Sequence, residues 1–266
     1  MKPFVAAAVL LVLAGLAGAD LRFTEKASDQ TSDLINGKDS KAPRVTVVEV
    51  KGHLVKFIEN DDPTAKPRRV VIFDGTKQTQ KDVNPRGKTF AEFGPDYLNK
   101  RTEDAKVRVG KLEDGLEDLT GEKKTRTEKL IWYSKKVLGL LVKAPAVEMT
   151  RTGEKQKIGV FDCERIVIKE EDPAGQMQVV FDCWMTEAAE GWTAYADMYS
   201  GYKAFSPGVL EKMKELKGIH VKGTFELFWL EGQLVRSVFD NSDAKVMELP
   251  DEGFLVPADY SNTSKK

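Results

Sequence analysis

The sequence predicts an α+β fold: a curved antiparallel sheet of about ten or eleven strands, an incomplete β-barrel closed by helices. Three observations carry this. Short alternating runs follow one another through turns of two to four residues, the mark of a meander. Two stretches break that rhythm with helical spacing. The composition is ordinary for a globular chain, 41% hydrophobic by count, with only the charged share raised, to 31%.

The strands begin at Arg44. Val45, Val47 and Glu49 alternate with Thr46, Val48 and Val50, and after Gly52 comes Leu54-Val55-Lys56-Phe57-Ile58. Asn60-Asp61-Asp62-Pro63 is a turn. Val70 to Phe73, a polar strand Thr76 to Val83 and Lys88 to Phe93 follow, joined at Asp74-Gly75 and Asn84-Pro85-Arg86-Gly87. Residues 20–43 are polar and read as a flexible N-terminal segment, in which only Leu34-Ile35 looks able to dock. Gly94-Pro95 then opens a helical insertion at 96–142. Val109, Leu112, Leu116 and Leu119 recur at helical spacing up to Gly121, and Leu130, Ile131, Val137, Leu138 and Leu141 form a second helix ending near Pro145. Strands resume at Val147. Residues 187–205 read as a helix with an aromatic side, and Ser206-Pro207 caps another that Gly218 ends. Ile219 to Trp229, Gln233 to Phe239 and Ala244 to Leu249 close the sheet. No linker or repeat divides residues 44–260, which are expected to form a single domain followed by a 261–266 tail.

The first residues are an address. Lys2 precedes an apolar run, Phe4 to Leu16, of about 13 residues, the size of a signal-peptide core and too short to span a bilayer. Ala17-Gly18-Ala19 is a small-residue cleavage site. Residues 1–19 are therefore expected to be a signal peptide cleaved after Ala19, leaving a periplasmic or secreted protein without a transmembrane segment. The formal net charge of -1 gives no field for gathering a polyanion, which excludes nucleic acid as a partner.

Export permits a disulfide. Cys163 and Cys183 end two copies of one phrase, Val160-Phe161-Asp162-Cys163 and Val180-Phe181-Asp182-Cys183, placed symmetrically about Pro173. A hairpin turning there would set them opposite each other and permit a staple worth about 3 kcal/mol.

Catalytic parts are few. With two His and two Cys, the chain carries no zinc-binding helix, no paired Cys motif, no acidic calcium loop and no nucleophile elbow beside His53 or His220. Asp61-Asp62 and Asp251-Glu252 read as solvated turns, and neither metal nor cofactor is expected. Asp162 and Asp182 are the one carboxylate pair that could perform acid–base work, if they share a buried face. The aromatic residues suggest something else. Trp192, Tyr195, Met198 and Tyr199 form a helical stripe able to close over sheet residues Phe57, Phe73 and Phe228, enclosing an apolar ligand site.

One stretch has a familiar order. Thr152-Gly153-Glu154-Lys155, with Ile158, Gly159, Cys163 and Glu164 after it, resembles a pattern TGE-x-K-x-I-x-G-x-x-C-E-x-Y-x-V of exported bacterial proteins of unknown function, a branch similar to the lipoprotein-carrier (LolA/LolB-like) superfamily. Ile72-Phe73-Asp74-Gly75, Lys88 to Glu92, Cys183 to Thr186 and Phe254 to Tyr260 match further stretches. Val160-Phe161 and Arg165-Ile166 depart from the pattern, and the 96–142 insertion is long. The resemblance implies a LolA-like half-barrel around a hydrophobic cavity and no catalytic residues. The expected function is thus a non-enzymatic carrier of a lipid, an acyl chain or a lipidated protein. An envelope interaction module with a filled core is the alternative, and a carboxylate hydrolase the weaker one.

Overall fold

A computed structural model describes residues 20–60 and 66–264 of the chain. The expected signal peptide, most of the Asn60–Pro63 turn and the last two residues of the tail lie outside the described residues.

Among the described residues 13 strands form a single sheet, and it does not close. From Leu21 the chain lays down β1 (Leu21–Asp33), β2 (Lys38–Lys51), β3 (Leu54–Glu59), β4 (Arg69–Asp74), β5 (Thr79–Asn84) and β6 (Thr89–Phe93), each antiparallel to the one before. Two helices follow, α1 (Pro95–Asp114) and α2 (Gly121–Leu138). β7 (Val147–Ile158), β8 (Phe161–Glu171) and β9 (Met177–Thr186) form a second meander, from which the chain crosses through α3 (Trp192–Tyr202) and α4 (Pro207–Lys214). β10 (Ile219–Trp229) and β11 (Gln233–Asp240) then fill the gap between the two meanders, β10 on β9 and β11 on β1. The short β12 (Lys245–Val246) pairs with β1, and β13 (Ser261–Asn262) runs parallel to β6.

The 96–142 insertion is helical and outside the sheet, as its spacing predicts. Its break falls elsewhere. Gly115 caps α1 early, and Gly121, at φ 57°, opens α2 rather than closing α1. Ser206 accepts a hydrogen bond from the Val209 amide at 3.3 Å, capping α4 ahead of Pro207. That helix stops at Lys214, before Gly218.

Three expectations are overturned. Residues 21–33, read with the rest of 20–43 as a loose lead-in, are the middle strand of the sheet, paired along their length with β2 and in part with β11. Residues 261 and 262, read as tail, form β13. Cys163 and Cys183 are both free. The β8–β9 hairpin turns through Asp172–Gln176 and carries a bulge at Ile168/Lys169, so Cys183 faces Ile166 while Cys163 faces Gln156 of β7. The two thiols have different partners, the Phe161 and Thr224 carbonyls.

The main core lies between the sheet and helices α3 and α4, with Phe181, Trp192, Tyr195, Phe225 and Phe239 at its centre. A second cluster packs α1 and α2 over Leu34, Phe228 and Leu230. A third covers the opposite face of β4 and β5, where Val70, Ile72 and Val83 meet Leu249 and Phe254 of the closing segment. Among the described residues no helix is long and apolar enough to cross a membrane.

Candidate functional site

Alternation along β1 to β4 decides what faces α3. Side chains on one sheet face recur every second residue. Phe23, Val48, Phe57 and Val71 stand in register across these four strands. The next row on the same face is Glu25, Thr46, Glu59 and Arg69, and beyond it come Arg44 and Asp29. The inner face therefore changes from apolar to charged along the strands. Helix α3 lies across the apolar part.

Where the two zones meet, a groove of about 480 Å³ opens, within the range of ligand sites, about 300–1,000 Å³. Tyr195, Met198, Tyr199 and Tyr202 of α3 form one wall. Phe57, Val71, Phe225, Leu227 and Trp229 form the apolar floor, and Glu25, Asp29, Arg44, Glu59 and Arg69 the charged end.

That charge is paired within the protein. Arg44 contacts Glu25 at 2.6 Å and Asp29 at 3.0 Å, and Ser237 donates to Asp29 at 2.7 Å. Arg69 forks onto Asp82, at 2.7 Å for its closest pair, and reaches Glu59 at 3.5 Å. Burial raises the Glu25 pKa against the opposing pull of Arg44. Burial alone would lower the Arg44 guanidinium, but Glu25 and Asp29 hold it above its ordinary value. The Tyr195 hydroxyl is buried and has no hydrogen-bond partner among the described residues. A buried hydroxyl left unsatisfied is costly and calls for an explanation.

Of the residues singled out from sequence, Phe57, Tyr195, Met198 and Tyr199 meet at this groove. Trp192 does not. It is fully buried, its ring 5.5 Å from Phe181, and its indole N–H donates to the Met213 carbonyl at 2.7 Å. Phe73 is buried beside Tyr202, and Phe228 stacks on Tyr133 of α2 at 5.5 Å. Sequence reasoning missed Glu25, Asp29 and Arg69, and took Arg44 only as a strand start. The alternation Leu21-x-Phe23-x-Glu25-x-Ala27-x-Asp29 was the signal available for the two acids.

The catalytic candidates are not assembled. Asp162 is exposed in register with Lys157, whereas Asp182 lies opposite Val167 and is held by Arg165 through two contacts of 2.8 Å. They form no carboxylate pair. His220 is enclosed by Trp192, Tyr195, Phe225 and Phe239, at 4.7 to 6.3 Å between ring centres, and neither ring nitrogen has a partner among the described residues. Burial lowers its pKa to about 3 and keeps it neutral. His53 lies 4.0 Å from Asp197 on the surface. Among the described residues no group of His, Cys, Asp and Glu is arranged to hold a metal.

No family model matches the chain, and no curated protein does. Among solved structures, a DUF1329 family protein from Desulfovibrio piger aligns with 96% of this chain and 98% of its own, at 8% identity and a TM-score of 0.21. At that similarity the alignment carries neither fold nor function, and both rest on this chain's own strands and groove.

Proposed function

We propose that the protein is an exported, non-enzymatic carrier that holds an acyl chain, from a lipid or a lipidated polypeptide, in the groove beneath α3, in the manner of a LolA-like half-barrel. One observation carries this reading: the in-register change from the Phe57 row to the Glu25–Arg69 row directly under an aromatic helix. A chain would lie along Phe57, Met198, Phe225 and Leu227, each buried methylene contributing about 0.8 kcal/mol. Its head would reach the polar end. Both arginines there are already paired, so an uncharged head that donates and accepts hydrogen bonds suits the site better than an anion. The unpartnered Tyr195 hydroxyl supplies one such contact.

Calorimetric titration with monododecanoyl glycerol tests the reading. Saturable binding is expected in the wild type. Met198→Asp sets a charge against the chain and should weaken binding by about tenfold or more. Met198 is only partly buried, so the variant should stay folded. Wild-type protein that takes up no monoacylglycerol, or a variant that binds it equally well, would refute the proposal.

A further inference from the structure

Away from that groove, the helical insertion contains a second pocket whose charge is organised differently. It has a volume of about 360 Å³ and lies between α1, α2 and the β1–β2 turn. Its apolar lining comes from Leu34, Ile35, Leu112, Leu119 and Leu130, and Ile35 is 48% exposed at its mouth. Every charged residue lining it is a cation: Arg108, Lys111, Lys123 and Arg126. Among the described residues none of the four has a carboxylate within 4.0 Å.

The two arginines are the informative members. Their Nε atoms are buried and have no hydrogen-bond partner among the described residues. Arg108 turns its terminal nitrogen to the Leu230 carbonyl, while the nearby Glu231 carboxylate is taken by Arg101 at 2.6 Å. Arg126 lies against Gly37, where a Cβ would collide with the guanidinium; Gly37, at φ 66°, is the residue that lets the turn approach. Two guanidinium groups with unused donors at an apolar pocket leave a deficit of negative charge, and a carboxylate meets such donors with short, charge-assisted bonds.

We infer that the pocket between α1 and α2 is a binding site for a single-chain anionic amphiphile, a long-chain carboxylate whose head is held by Arg108 and Arg126 and whose tail lies on Leu112, Leu119 and Leu130. This goes beyond the groove reading and does not depend on it.

The test is calorimetric titration of the full chain with dodecanoate, monododecanoyl glycerol and dodecyltrimethylammonium. Dodecanoate should occupy a site that Lys123→Gln/Arg126→Gln weakens by about tenfold or more, since the variant removes the charge-assisted bond from Arg126 and a second cation from the lining. Met198→Asp should leave that site intact. Leu112→Trp, which fills the apolar wall and keeps all four cations, should weaken it too, and circular dichroism of each variant should match the wild type. Raised salt should reduce dodecanoate affinity and leave monododecanoyl glycerol unaffected. The inference is overturned if dodecanoate does not bind, if only Met198→Asp weakens it, or if dodecyltrimethylammonium competes for the site equally well. Failure of the groove reading shows separately, as loss of monododecanoyl glycerol binding with dodecanoate binding retained.

Discussion

The groove under α3 and the pocket between α1 and α2 both join apolar side chains to arginines, but they treat the arginines in opposite ways. Under α3, Arg44 and Arg69 are neutralised by Glu25, Asp29, Glu59 and Asp82, acids brought alongside by strand register. Between α1 and α2, Arg108 and Arg126 have no carboxylate within 4.0 Å among the described residues, and Lys111 and Lys123 add to the excess. The difference follows from the elements that build each site. Antiparallel pairing sets side chains from neighbouring strands directly opposite one another, so opposite charges can be matched row by row. Two helices crossing over a turn have no such register. Paired charge in the groove supports the fold, while the charge in the helical pocket has no acidic partner within 4.0 Å among the described residues.

The largest expected effect separates the two on stability. Arg44→Ala leaves Glu25 buried beside Asp29 without its cation and should cost about 2 to 3 kcal/mol in urea unfolding, toward the lower end of buried-pair values because Arg44 is partly exposed. Arg126→Ala removes no pairing and should stay within about 0.5 kcal/mol, the range of ordinary surface changes. Equal losses in the two variants would break the comparison.

A somewhat smaller effect concerns acid. His220 is neutral in the fold, with its pKa lowered from 6.5 to about 3 by burial. The unfolded chain therefore binds more protons between these values, and stability should fall as pH drops from about 6.5, by up to about 1.4 kcal/mol per unit. Between pH 6.5 and 4.5 the loss should be about 2 kcal/mol. Glu25 acts in the opposite sense: its raised pKa adds stability below its unfolded value, and that is lost as pH rises through the folded value. His220→Phe retains Glu25, so the difference between its pH profile and that of the wild type isolates the histidine. Parallel profiles would mean that His220 finds a proton-holding partner. The helical pocket has no acid or histidine in its lining, so Lys123→Gln/Arg126→Gln should leave the pH profile unchanged, the smallest effect of the set.

Much of this fold was legible in the sequence because period-two alternation and turn residues are local signals. The β3–β6 meander, the helical insertion and the Ser206-Pro207 cap all follow from them. β1 was not legible. Its inner face carries Glu25, Ala27, Asp29 and Thr31, which read as polar loop until β2 and β11 supply their partners. The cysteine pairing failed for a related reason. A bulge at Ile168/Lys169 and a turn beyond Pro173 shift the register, and equal spacing along the chain cannot reveal either. Half of the groove was visible as the stripe Tyr195, Met198, Tyr199. Trp192 belongs to the same helix but lies on the side that packs against Phe181, and helical spacing alone does not say which side of a wide aromatic face meets the core.

Native mass spectrometry of the protein, purified without detergent, tests the carrier reading most directly. The account predicts a bound species with the mass of a neutral acylated molecule on the wild type and its absence from Met198→Trp, in which the groove is filled, whereas a fatty-acid adduct held between α1 and α2 would remain on both. An unliganded wild type that also fails to take up added monododecanoyl glycerol would contradict it, as would the same neutral adduct on both proteins.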